Sequence, residues 1–172
     1  MIRKAEKDDI PQIAEIYSHI HDACETGRLH TGWIRDVYPT EKTALASLGR
    51  GDLYVSERDG RVVAAAVINR TQVDCYAECD WSFEAKDDEV LVLHTLTVEP
   101  SMLHCGLGSE FVSFYENLAR AEKCRVLRMD TNEINSAARA LYEKLGYRQA
   151  GIVPCEFNGI PDVMLVCLEK LL

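Results

Sequence analysis

Two glycines, Gly106 and Gly108, lie in the stretch SMLHCGLGSEF, residues 101–111, just after Pro100 and before a helical apolar repeat. The first-turn N–H groups of a helix have no intrahelical partner, and the helix dipole favours negative charge there. A glycine-bearing loop at such a terminus can cradle a phosphate with backbone alone. Taken alone, Gly-x-Gly is equally the mark of a tight turn that needs positive φ. The only basic side chain in the loop is His104, which carries at most a partial charge near neutral pH. Cys105 follows, at a position where a helix N-terminus can lower a thiol pKa, or it is an inert thiol.

The second chemical feature is the segment NSAARALYEKLGY, residues 135–147. Helical spacing places Ala137, Ala138, Leu141 and Leu145 on one buried stripe, with Tyr142 about 100° round from Leu141. A phenol at the edge of a buried face could project into a cleft and donate a proton to a leaving group. Its other reading is an amphipathic tyrosine, ring packed and hydroxyl wet.

Strands and helices must position both features. IRKAE begins as a strand, and Asp8, Asp9 and Pro11 mark the start of a helix over residues 9–23, with Ile10, Ile13, Ala14, Ile16, Tyr17 and Ile20 inward. A second helix starts at Thr40 or Glu41 and is closed by Gly49 and Gly51. Asp59-Gly60 splits two strand-like runs, a strong hairpin signal, and Asn158-Gly159 joins two more at the C-terminal end. A weak strand or extended loop is expected over 71–84. VLVLHTLTV, residues 90–98, is a near-continuous apolar run that reads as a central strand covered on both faces. Leu107, Phe111, Tyr115 and Leu118 give the next helix, VLRM at 126–129 another strand, and Asn135–Leu145 a helix closed by Gly146. This order implies a mixed sheet in an α/β or α+β domain.

The bulk properties narrow the function. The chain has 172 residues, 47% hydrophobic, with a formal net charge of −9. That is enough for one domain with its own core. The charge disfavours nucleic acid as a partner. No apolar run is long enough for a membrane span, and the charged start MIRKAEKDD leads us to expect no secretory leader. Seven scattered cysteines read mainly as small core residues with free thiols, consistent with a reducing cytoplasm. His19, His21 and His30 do not stand at metal-ligand spacing, so no metal is expected.

Val98-Glu99-Pro100 followed by Gly106-Leu107-Gly108 resembles the acetyl-CoA motif of the GNAT superfamily of N-acetyltransferases. Asn135, Ala138, Tyr142, Gly146 and Tyr147 resemble its second motif. The two occur in order and at the expected separation, and the order of elements fits over the whole chain, 1–172, as a single acetyltransferase domain. The resemblance implies a GNAT fold: a mixed, mostly antiparallel sheet of six to seven strands flanked by about four helices, with a central V-shaped splay. It implies acetyl-CoA as cosubstrate, with its pyrophosphate on the backbone of residues 104–109. Leu96, Thr97 and Val98 would pair with the pantetheine arm. Leu103, His104, Cys105, Gly106, Leu107, Gly108 and Ser109 would form the cradle, and Asn135, Ala138 and Tyr142 would line the arm's other side. One departure stands out: Leu103 occupies the family's Arg or Gln position.

By the same resemblance, an amine attacks the thioester directly and Tyr142 protonates the departing thiolate. An alkylammonium has a pKa of about 10 and must lose a proton first, so a general base near neutrality helps. His94 is the candidate, since LHTLTV at 93–98 resembles arylalkylamine N-acetyltransferases, which carry a histidine there. Their second histidine is Val92 here, so a water would link His94 to the amine. Glu89, Glu99 and Asp130 are weaker alternatives. The acceptor, a small-molecule or peptide amine, would be shaped by the first helices and their loop. There Trp33 and Tyr38 could wall an aromatic pocket, and Glu25 or Asp36 could hold an ammonium. A homodimer is left open. The alternative function is a non-catalytic acyl-CoA-binding or sensor domain, which Leu103 favours and Tyr142 with His94 disfavours.

Overall fold

The computed structural model describes residues 1–172 and contains seven strands and four α-helices. In chain order these are β1 (Ile2–Lys4), α1 (Ile10–Glu25), α2 (Glu41–Arg50), β2 (Leu53–Arg58), β3 (Arg61–Asn69), β4 (Val90–Val98), α3 (Leu107–Ala121), β5 (Val126–Asn132), α4 (Ser136–Lys144), β6 (Arg148–Phe157) and β7 (Ile160–Leu171). The strands form one sheet in the order β1-β2-β3-β4-β5-β7-β6. Only the central β4–β5 pair is parallel; every other pair is antiparallel.

Alternation along the strands separates two faces. Ala64, Ala66 and Ile68 of β3, Leu91 and Leu93 of β4 and Leu127 and Met129 of β5 pack under Phe111, Val112 and Tyr115 of α3 and Tyr142 of α4. On the other face, Leu53, Val55, Ala65 and Val67 meet the isoleucine stripe of α1. Further along that face, Val90, Val92 and Val126 meet Tyr38, Tyr76 and the β6–β7 hairpin. Tyr115 crosses beneath the sheet centre and donates its hydroxyl to the Leu91 and Arg128 carbonyls, at 2.6 and 3.0 Å.

Both Xaa-Gly hairpins form, because each needs two consecutive residues at positive φ: 49° and 75° at Asp59-Gly60, 50° and 83° at Asn158-Gly159. The first helix starts where Pro11 permits it, but Asp9 does not cap it. Its carboxylate turns to Arg3, 2.7 Å away, and to the Glu6 N–H. Of the weak strand or extended loop expected over 71–84, the loop forms: those residues make a 3-10 turn, Asp74–Glu78, and a loop tied to the sheet by the Tyr76 hydroxyl on Asp130 and the Ser82 N–H on Glu169. Within α4 the buried residue is Tyr142, whereas Ala138, Leu141 and Leu145 are only half-buried and Ala137 is exposed. The expected stripe thus packs against the rim of the core through Ala138, Leu141 and Leu145, and Ala137, Ala138 and Leu141 also face a cleft.

That cleft comes from the sheet itself. β4 and β5 pair only from Val90 with Val126 to Leu93 with Met129. Beyond that rung β4 stays with β3 as far as Val98, and β5 stays with β7 as far as Asn132. The two strands separate, leaving two facing backbone edges without sheet partners.

Candidate active site

A cavity of about 460 Å³ fills the splay. Three groups of residues line its part nearest α3 and α4. The β4 edge contributes Thr95, Leu96, Thr97 and Val98; the loop into α3 contributes Leu103, His104 and Gly106–Ser109; α4 contributes Asn135, Ala138, Leu141 and Tyr142. Every residue assigned by resemblance to acetyl-CoA lines this one cavity except Cys105, which is exposed, with its thiol turned back toward the Leu103 carbonyl.

The loop has the geometry of an anion cradle. Gly106 stands at the N-cap of α3 with φ of 82°, a left-handed conformation that L side chains disfavour. The first backbone bond of the helix runs from the Glu110 N–H to the Gly106 carbonyl at 3.0 Å. The N–H groups of Leu107, Gly108 and Ser109 therefore remain free for a ligand, at the positive end of a 15-residue helix. Gly108 has a different reason to be glycine: a Cβ there would lie 3.0 Å from Leu141 Cδ2, so it lets α3 and α4 approach. Lys144, in the last turn of α4, also lines the cavity and supplies a cation that the loop lacks. It is not among the residues singled out from the sequence, although it falls three residues after Leu141, a spacing that puts the two on one side of α4.

Asn135 caps α4, its side-chain oxygen accepting the Ala138 N–H at 3.2 Å. Tyr142, 6% exposed, lies against Tyr147 with its ring buried. Tyr142 lines the cavity, and its hydroxyl is not left buried without a partner. Burial, and then the nearby Asp130 carboxylate, push its pKa up, so the phenol holds its proton firmly.

β4 bends at a bulge that the sequence did not signal. Val67 pairs with His94 and Ala65 with Thr97, so Ala66 opposes both Thr95 and Leu96. Thr95 has φ of 51°, a strained value for a β-branched residue. Its hydroxyl is bonded to the Tyr38 hydroxyl. The bulge directs the β4 edge into the cavity at the place where β5 departs.

His94 and Asp130 each follow the last paired rung of the splay, Leu93 with Met129. His94 is half-buried and does not line the cavity. Its Nε2 is 3.1 Å from the Thr71 carbonyl and 3.2 Å from Asn69 Oδ1. Asn69 is itself held by the Thr71 N–H and by Asp52, so both neighbours of Nε2 are acceptors. That arrangement places the imidazole proton on Nε2 and leaves the Nδ1 lone pair free. Burial lowers the His94 pKa, with Asp130 opposing the shift. Asp130 lines the cavity and accepts the Tyr76 hydroxyl at 2.6 Å; burial raises its pKa, while His94 and Tyr76 pull it back. Glu89 and Glu99 are engaged elsewhere, with Arg125 and His19.

Beyond the β4–β5 fork, Trp33 and Tyr38 line the cavity edge-to-face, their ring centroids 6.0 Å apart, and Phe157 continues the wall 5.5 Å from Tyr38. Glu25 is not brought there. It sits on the outer surface at the end of α1, 2.6 Å from Arg35, and Asp36 is likewise exposed and outside the lining.

Residues 13–147 match the acetyltransferase (GNAT) family. The chain belongs to the GNAT family of acetyltransferases. The GNAT fold accounts for the mixed seven-stranded sheet and its open centre. Among solved structures, a GNAT-family acetyltransferase from Streptococcus agalactiae is 24% identical with a TM-score of 0.81, covering 100% of this chain and 95% of that one. A ribosomal-protein-alanine N-acetyltransferase from Brucella melitensis is 22% identical with a TM-score of 0.70, covering 100% and 99%. A Salmonella typhimurium chain solved with its cofactor acetyl-CoA is 21% identical with a TM-score of 0.69, covering 99% and 92%. No protein of curated function matches the sequence. No helix of this GNAT chain is long and apolar enough to cross a membrane.

Proposed function

We propose that residues 1–172 act as one acetyltransferase domain that transfers the acetyl group of acetyl-CoA to the primary amine of a small molecule or peptide by direct attack. The observation that carries this reading is the meeting, in one cavity, of the free N–H groups of α3, the unpaired β4 edge and Tyr142.

In this account the pyrophosphate rests on the N–H groups around Gly106–Ser109. Leu103 contributes no charge, and Lys144, which lines the same half of the cavity, offsets that loss. The pantetheine amides pair with the β4 edge at Leu96–Val98, which holds the thioester carbonyl at the bulge. The neutral amine nitrogen attacks the carbonyl carbon and a C–N bond forms. The tetrahedral species then collapses, the C–S bond breaks, and the thiolate takes the Tyr142 proton. The proton lost by the amine passes through a water to Nδ1 of His94. A low imidazole pKa suits that task, because the ring is neutral and basic at working pH.

The test has two parts: a thermal shift with acetyl-CoA, and release of free CoA with a panel of amines. The proposal expects a raised Tm and amine-dependent release. A raised Tm with no release for any amine would instead make the chain a non-catalytic acyl-CoA sensor.

A further inference from the structure

The cavity has two chemically distinct halves. The half toward α3 and α4 carries Lys144, His104 and the helix N-terminus, all suited to phosphates. The other half is walled mainly by Trp33, Tyr38, Phe157 and Leu165, with the uncharged polar Thr31 and Asn132 beside them, and the only charged side chain in it is Asp130. One Asp130 oxygen takes the Tyr76 hydroxyl and the other has no donor within the protein. No lysine or arginine reaches this half, since Arg35, the cation nearest in sequence to Trp33, is held on the outer surface by Asp22 and Glu25.

We infer that this half takes a primary amine on a compact apolar body that bears no carboxylate or phosphate, with the ammonium seated on the free oxygen of Asp130. The inference rests on the acetyltransferase reading of the site. An amino acid or other anionic amine would place its carboxylate among aromatic side chains with no cation to receive it, a costly desolvation. A polyamine would bury further charges against a single carboxylate. A monocation with an apolar body satisfies both features, Asp130 by charge and the aromatic wall by burial and cation–π contact. The raised Asp130 pKa fits as well, because a bound cation would offset the cost of its burial.

The test uses phenethylamine, phenylalanine, spermidine and an alanine-initiated tetrapeptide, each assayed with acetyl-CoA by free-CoA release. Titration of phenethylamine into the CoA-saturated enzyme by calorimetry reads binding independently of turnover. The inference expects kcat/KM for phenethylamine about a hundredfold or more above that for phenylalanine. It also expects Asp130→Asn to weaken phenethylamine binding about tenfold while the Kd of acetyl-CoA holds. Equal or better use of phenylalanine, spermidine or the peptide would overturn it, as would phenethylamine binding that Asp130→Asn leaves intact. Phenethylamine binding that depends on Asp130, with no CoA release from any of these amines, would remove the acetyltransferase reading and leave the pocket assignment standing.

Discussion

Tyr38 and Thr95, 57 residues apart in sequence, bond hydroxyl to hydroxyl at the point where β4 bulges into the cavity. Thr95 has φ of 51°, which for a β-branched residue costs roughly 1–2 kcal/mol. The Tyr38 ring is fixed between Trp33 and Phe157, so its hydroxyl is a rigid partner. The aromatic wall and the bulge that aims the β4 backbone are therefore one unit.

If the bond holds the bulge, its value depends on the strain it opposes. Tyr38→Phe should lower unfolding free energy by about 1 kcal/mol and weaken acetyl-CoA binding several-fold. In a Thr95→Gly background, where glycine accepts positive φ freely, the same substitution should cost less than half as much in both measurements. Chemical denaturation and calorimetry check this double-mutant cycle. Equal losses in both backgrounds would reduce Tyr38 to packing.

The two glycines of the cradle should fail differently. A Cβ at Gly106 meets no protein atom within 4 Å but is forced to φ of 82° on the cavity wall, whereas one at Gly108 meets Leu141 at 3.0 Å. Gly106→Val should weaken acetyl-CoA binding about a hundredfold, through strain and through occupation of the anion's place. Gly108→Ala should weaken it less, since the leucine tip can give way. Titration of acetyl-CoA checks both, and unchanged affinity in both would place the pyrophosphate elsewhere.

His94 sets the expected pH dependence. Its folded pKa is lowered by burial, so the neutral ring persists below the ordinary imidazole value of about 6.5. Activity should therefore hold as pH falls through 6.5 and drop only below it. His94→Gln should remove that acid limb and lower kcat/KM across the profile. An acid limb that survives the substitution unchanged would pass the proton-acceptor role to Asp130.

Local rules made much of this legible. The hairpins follow from Asn-Gly and Asp-Gly chemistry, β4 from its β-branched run and α4 from helical spacing, whereas the two glycines alone fit a tight turn as well as a cradle and only the family resemblance chose between them. What stayed hidden depends on distant partners. Asp130 gains its place from Tyr76, 54 residues away, in a segment without periodicity. Glu25 looked like an ammonium site until Arg35 took it. Thr95 contradicts its own propensity, and nothing local marks a bulge held from Tyr38. Phe157 and Leu165 reach the cavity only through the β6–β7 hairpin. Among the cysteines, six are buried or half-buried and all are unpaired, and burial pushes the Cys75 thiol up to about 12, which suits inert core residues.

Tyr142 gives the most direct test of the central claim, that this cavity performs acetyl transfer with the phenol as acid. Its ring packs against Tyr147 and its raised pKa keeps it protonated. For Tyr142→Phe, which preserves the ring and removes only the hydroxyl, kcat and the Kd of acetyl-CoA should be measured side by side. The account predicts kcat lowered about a hundredfold or more, with Kd within about threefold of wild type. Wild-type turnover in Tyr142→Phe would contradict it.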